Sequence, residues 1–341
     1  MYRLHGSVQH YPWGDKYFLP RWIGTTVDGS PWAELWFGTH PSGPTTATDA
    51  PGSKPVPLRE ITGELAFLVK ILATSAPLSL QAHPSAEQAR AGYDRENKDL
   101  IDAAARNYRD PNAKPEIICA VTRFEALCGF RDPRELVSDW VRRGWHELAS
   151  DLEHHGLTNF IRGALRGEIR PPKFNLPEWS TEIIKRYPND PAITVALCMN
   201  HVVLEPGDAL FLNAGNLHSY LSGAGVEVMG SSDNVIRAGF TEKHVDVAEL
   251  LRIVDLEGQP IVIRGDAAIS GSTTVYDVDC DLFEVSSITF NDQAIVQAGD
   301  GPTIVIASEV KGESIRTGDV FLLQPGEILR INGTGMVHVV S

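Results

Sequence analysis

The sequence predicts a mainly β protein of two barrel-like units with a helical stretch inserted. Three observations carry this. Most of the 341 residues fall into short apolar alternations broken by Gly, Pro, Asn and Asp, as strands joined by tight turns do. From Pro133 the period becomes 3.6: Leu136, Trp140, Leu148 and Leu152, with Val137, Val141 and Trp145, share one stripe, which predicts helices over 133–187. PGDALFLNAG (Pro206–Gly215) is echoed by TGDVFLLQPGE (Thr317–Glu327), as two copies of one β module would read. The expected division is 1–132 with 188–256 as the catalytic unit, 133–187 as the helical insertion, and 257–341 as the second barrel.

Composition narrows the class of function. A net charge of −14 argues against nucleic acid or an anionic membrane as the main partner. No apolar run reaches membrane-spanning length, and the start MYRLHGSVQHYPWG lacks signal-peptide features, so a membrane is not expected. Cys119, Cys128, Cys198 and Cys280 are scattered without a CxxC pair, which fits a reduced, cytoplasmic protein.

In chain order, residues 1–60 read as strands and loops. YPWG (Tyr11–Gly14) and AELWFGTHPSGPT (Ala33–Thr45) stand out without obvious chemistry, and His40 reads as structural. LAFLVKILAT is a strand in which Lys70 must reach the sheet edge or meet an anion. In PLSLQAHP, Leu78, Leu80 and Ala82 point one way and Ser79, Gln81 and His83 the other, a poor core and a good ligand shelf. Gln81 and His83 could reach one metal ion. Ser85–Tyr108 reads as a helix with Ser85 as its N-cap and Leu100, Ile101 and Ala104 on its stripe. In YRDPNAKPEIICAV, Glu116 opens a strand as a possible third ligand beside Lys114.

After the helical stretch, strands are expected from Ala192 to Leu204. They lead into Gly207–Lys243, the run richest in chemistry: His218 and Tyr220 share one strand face, Glu227 and Met229 alternate with Val226 and Val228, and SSDN turns into Val235–Arg237. So many polar groups beside apolar partners predict a site wall. DVAELLRIVDLE then reads as a short helix, and in the tail His338 stands alone as a structural residue.

GDALFLNAGNLH resembles the second signature of the cupin superfamily, G-x5-P-x-G-x2-H, with Asn213 at the proline. More narrowly, YPWG, AELWFGTHPSGP, SLQAHP, YRDPNAKPE, FEALCGFR and HSYLSGAGVEVMGSSDNVIRAGFTEK resemble type I mannose-6-phosphate isomerase, over nearly the whole length. The resemblance implies two cupin (jelly-roll) barrels with an inserted helical domain. It implies one zinc per chain held by Gln81, His83, Glu116 and His218. Arg237 matches a catalytic cation, and Lys114 and Asp233 match residues close to the sugar. Lys70 and Ser79 match positions that receive the phosphate, and Tyr220, Glu227 and Lys243 match site-lining positions. The implied reaction interconverts mannose 6-phosphate and fructose 6-phosphate through a zinc-stabilised cis-enediol(ate), with a phosphosugar as sole partner of a monomeric enzyme. Ala113 departs from the family's usual NHKPE, Ser85-Ala86 from Asp-Lys, and Glu242 from a common proline. The competing expectation is a non-catalytic sugar- or metal-binding cupin. It predicts decay of the site before the barrel glycines, and the residues run the other way.

Overall fold

The computed structural model describes residues 1–103, 105–265 and 271–341. Strands dominate and form two sheets, one of eleven strands and one of eight. The larger is centred on Phe67–Thr74 and His218–Gly230, with Glu34–Phe37 and Glu116–Ala120 as their outer neighbours. All eight residues of Phe67–Thr74 are buried because the strand is covered on both faces. Val69, Ile71 and Ala73 pack with Val226 and Val228 against Ile304, Ile306, Leu322 and Val340 of the smaller sheet. Leu72 faces the other way, into a core with Ile118, Leu210 and Tyr220. Lys70 has the parity of Leu72 and so points into that second space.

The pairing crosses the expected boundaries. Tyr2–His5 joins Val320–Leu323, with Tyr2 opposite Leu322, whereas Ile261–Ile263 joins Ala209–Leu212 of the larger sheet. The internal echo is a repeated turn. Gly207 and Gly318 have φ of 93° and 94°, a region glycine enters without penalty. Asp208 and Asp319 each accept a backbone N–H three residues back at 3.0 Å, from Glu205 and Arg316, before the strands Ala209–Leu212 and Val320–Leu323.

Helices gather at Pro133–Arg143, His146–Leu165, Thr181–Arg186 and Ala192–Ala196. The first starts at a proline behind an Asp132 cap and stops at left-handed Gly144. Its stripe closes on Trp140, Trp145 and Phe160 in one core that also takes Leu80 and Ala82. The helical segment thus buttresses the back of the shelf strand. Leu78, by contrast, packs with the core of Ile118 and Tyr220, because the strand begins only at Leu80.

Two expected elements differ. Ala192–Ala196 is a helix, and the strand begins at Met199. Ile193, Thr194 and Val195 favour a strand locally, but burial in the helical core overrides that preference. The helix expected over Ser85–Tyr108 is Ala86–Lys98, opened by a Ser85–Gln88 capping box. The chain then turns through Leu100 at φ 53° and folds back. Tyr108 lies so close over Gly92 that a Cβ there would meet its ring at 2.4 Å. Ala104 lies outside the described residues. Among those residues no helix is long and apolar enough to cross a membrane, and all four cysteines are free.

Candidate active site

The strand His218–Gly230 supplies both ends of the site. His218 stands opposite Gln81, Met229 opposite Glu116, and Glu227 opposite Lys70. By strict alternation Glu227 would face away from His218 and Tyr220. A bulge between Tyr220 and Ser222 inserts one unpaired residue, followed by Gly223 at φ 117°. The parity therefore flips, and Glu227 returns to the same interior.

His83, Glu116 and His218 are buried with their ligating atoms within 4.8 Å of one another. His83 Nε2 lies 3.3 Å from Glu116 Oε1, and His218 Nε2 3.5 Å from Oε2. Each imidazole donates from Nδ1 to a backbone carbonyl, of Asn234 at 2.7 Å and Asn216 at 3.0 Å. Both Nε2 atoms thus turn lone pairs toward a carboxylate. Acceptors converging in this way call for a cation. Burial, reinforced by His83, pushes His218 down to about 4, and burial together with the Lys114 charge lowers His83, so both are neutral ligands at pH 7. Burial would raise Glu116, but Lys114 and His83 outweigh it and hold this carboxyl well below its usual range.

Gln81 adjoins the same point, with Nε2 3.5 Å from His218 Nε2 and Oε1 accepting from Ser79 Oγ at 2.8 Å. A half-turn of the carboxamide presents its oxygen instead, and the Ser79 hydroxyl can accept as readily as donate. Lys114 Nζ bonds Glu116 Oε1 and lies 3.5 Å from His83 Nε2.

Beside this centre Lys70 bridges Glu227 at 3.1 Å and Glu34 at 3.4 Å, above the Trp36 ring. Trp36 Nε1 in turn holds Glu34 at 2.8 Å. Burial would lower Lys70, yet Glu227 and Glu34 raise it. Burial lifts Glu227 against the opposing pull of Lys70. Three buried carboxyl groups (Glu34, Glu116, Glu227) thus face two buried lysines (Lys70, Lys114). Lys70 meets protein anions instead of the sheet edge, and Ser79 bonds Gln81, so the two share no contact. Tyr220 is buried with its hydroxyl unpartnered, edge-on to Phe124 at 5.2 Å.

At the open side Arg237 stands opposite Gln81 on Ile236–Gly239. Burial and the neighbouring Arg109 lower its pKa, and burial, then Arg237 and Arg109, lower that of Lys243. Among the described residues none of these three cations has a carboxylate partner. Asp233, half-exposed, has His40 Nε2 at 3.4 Å. Asn234, fully buried, welds the turn to the loop before Lys114: its Oδ1 accepts from Arg109 N at 2.7 Å, and its Nδ2 donates to the carbonyls of Asp110 and Asn112.

The structure thus gathers Gln81, His83, Glu116, His218 and Lys114, sets Lys70 and Glu227 beside them, and lines the opening with Asp233, Arg237 and Lys243. Glu34, His40, Arg109 and Asn234 contact or adjoin this candidate site, and the sequence reading did not place them there. One signal was present: Glu34 and Trp36 alternate with Leu35 and Phe37, a polar face inside an apolar strand.

The profile of the phosphomannose isomerase type I catalytic domain matches residues 1–133. The chain is 34% identical to mannose-6-phosphate isomerase of Salmonella typhimurium and 32% identical to that of Escherichia coli K12, each over 96% of this chain and 93% of the relative. A zinc-bound mannose 6-phosphate isomerase superposes with a TM-score of 0.81 at 28% identity, covering 99% of this chain and 98% of the other. A point variant of the Salmonella typhimurium phosphomannose isomerase gives 0.83 at 28% identity, covering 100% and 98%.

Proposed function

The chain belongs to the mannose-6-phosphate isomerase family, and from that premise we infer that it interconverts mannose 6-phosphate and fructose 6-phosphate at this centre, with zinc as cofactor. The observation that carries the metal is the buried convergence of two Nε2 lone pairs and a carboxylate. His83, Glu116 and His218 would hold the ion, with the Gln81 amide, once turned, able to offer its oxygen as a fourth ligand. Zinc bound there supplies a Lewis acid that stabilises negative charge on the sugar's C1 and C2 oxygens.

The remaining work falls to the chain. A proton leaves C2 and returns at C1, while the hydroxyl hydrogen passes between the oxygens. Lys114 and Asp233 are the groups placed to move protons, since Lys114 Nζ adjoins the metal position and Asp233 stands in the opening. Glu227 is committed to Lys70 and shapes the field. Arg237, opposite Gln81, supplies fixed positive charge toward the enediolate. The phosphate rests on the outer cations Arg109 and Lys243, which among the described residues lack carboxylate partners. Lys70 is the weaker candidate because two carboxylates already flank its ammonium.

The same reading includes two cupin barrels with a helical insertion at 133–187, and the repeated Gly-Asp turn supports it. The division into 1–132 with 188–256 and 257–341 then describes barrels that exchange strands across their borders. We also take the enzyme to be a cytoplasmic monomer, a reading the four free cysteines support for the compartment.

The test is a coupled assay of purified protein with mannose 6-phosphate, read beside elemental analysis. Chelation should abolish fructose 6-phosphate formation, and zinc should restore it at one ion per chain. Full activity with no stoichiometric divalent metal would overturn the reading.

A further inference from the structure

We propose that His40 is the positioning residue of Asp233, presenting its Nε2 hydrogen to one carboxylate oxygen so that the other faces the sugar. The inference rests on the placement of Asp233 in the isomerase site, and it concerns a histidine whose surrounding sequence carries no chemical motif.

The geometry fixes the imidazole on three sides. It is buried and stands edge-on to Trp36, ring centroids 5.3 Å apart at 88°. The Ser42 N–H donates to Nδ1 at 3.3 Å. A ring nitrogen that accepts carries no hydrogen, so in the neutral ring the hydrogen sits on Nε2. That atom faces Asp233 Oδ2 at 3.4 Å, long for a hydrogen bond and closed by a small carboxylate rotation.

Asp233 is held from behind as well. Its backbone N–H donates to Asp110 Oδ2 at 2.8 Å, and Ser232 Oγ donates to the other oxygen of Asp110 at 2.8 Å. The carboxylate is the exposed part, with 47% of the side chain open to solvent. Tyr11, Arg109, Asp110 and Lys114 are the other titratable or charged groups that bear on it. Of these and His40, the His40 contact does most to keep the carboxyl below its usual range. Arg109 and Lys114 act from further off, and Tyr11 opposes. A buried imidazole whose Nε2 stands 3.4 Å from a half-exposed carboxylate can orient a proton acceptor and keep it ionised.

The test uses the zinc-loaded enzyme and the variants His40→Leu, His40→Gln, Asp233→Asn and the double variant His40→Leu/Asp233→Asn. His40→Leu should lower kcat about tenfold to a hundredfold with little change in KM, and move the acid limb of the kcat profile to higher pH. His40→Gln, which can still donate from its amide, should recover most of the kcat and return the limb toward its original position. In the Asp233→Asn background the loss of His40 should add nothing further. Equal losses in both backgrounds, or an unmoved acid limb in His40→Leu, would overturn the proposal. So would undiminished turnover in Asp233→Asn. A wild-type protein inactive on mannose 6-phosphate would instead sink the isomerase reading itself. Zinc content and melting temperature separate a folding defect in His40→Leu from a kinetic one, with His40→Gln as the folded comparator.

Discussion

His83 and His218 are each committed to one tautomer by a backbone carbonyl, so each offers one nitrogen to the centre and no alternative. His83→Ala or His218→Ala should therefore cut zinc content and lower turnover at least about a hundredfold, with a zinc-free melting temperature near that of the zinc-free parent. Lys70 behaves differently because it neutralises two buried carboxylates. Lys70→Met should destabilise the fold by roughly 3–5 kcal/mol by leaving Glu34 and Glu227 uncompensated, read by urea unfolding. Lys243→Met should leave stability nearly unchanged and raise KM for mannose 6-phosphate about tenfold to a hundredfold. Its effect on unphosphorylated mannose should be small, and equal effects on the two sugars would move the phosphate elsewhere. At this scale the polar alternation of Ser79, Gln81 and His83 was legible, although Leu78 leaves the face of Leu80 and Ala82 because the strand begins only at Leu80. His40 was not, because Asp233, which gives it meaning, lies far along the chain and arrives only through turn placement. Glu34 showed only as a polar step in an apolar strand until pairing brings Lys70 to it.

Among the elements, the long strand His218–Gly230 shows how far alternation can be followed. Up to Tyr220 period two gives the right face; beyond the bulge it gives the wrong one. A bulge is set by what the neighbouring strands require, and one Gly in a strand does not announce its parity change. The helical period was legible over Pro133–Leu165 for the opposite reason, as its stripe repeats over several turns. Val141 nevertheless lies outside the buried face, and 166–177 is irregular. The Gly-Asp turn was legible as an echo, and its geometry explains why glycine stands there. At Gly318 a Cβ would lie 2.4 Å from the Trp22 carbonyl, on a backbone at φ 94°. Gly318→Ala should cost about 1–3 kcal/mol with kcat and zinc content unchanged, a result measurable by denaturant titration beside the standard assay.

For the molecule as a whole, stability should fall on mild acidification even away from the metal centre. His338 is buried, bonded through Nδ1 to Ser308 Oγ at 2.6 Å and stacked on Tyr276, with Nε2 unpartnered. Burial holds it at about 4, against about 6.5 in an unfolded chain. Between those values the unfolded state binds the proton and the folded state does not. Stability is then intact above about pH 6.5 and declines by up to ~1.4 kcal/mol per pH unit as pH falls toward 4. His338→Phe should flatten that slope in urea unfolding at pH 7 and pH 5, and an unchanged slope would exclude His338 as its source.

The strand Tyr2–His5 has a consequence in time. Its partner Leu322 is made 320 residues after Tyr2. At about 5–20 residues per second, the first strand waits roughly fifteen seconds to a minute for its place in the sheet. During that wait Tyr2 and Leu4, which end up packed in or against the core between the sheets, stay exposed on an unpaired edge. The nascent chain therefore carries one adhesive strand edge throughout that interval, the other being closed by Thr46–Thr48. Shortening the wait by circular permutation, so that Met1 follows Ser341 through a short linker, should raise the yield of refolded enzyme without changing its kinetics.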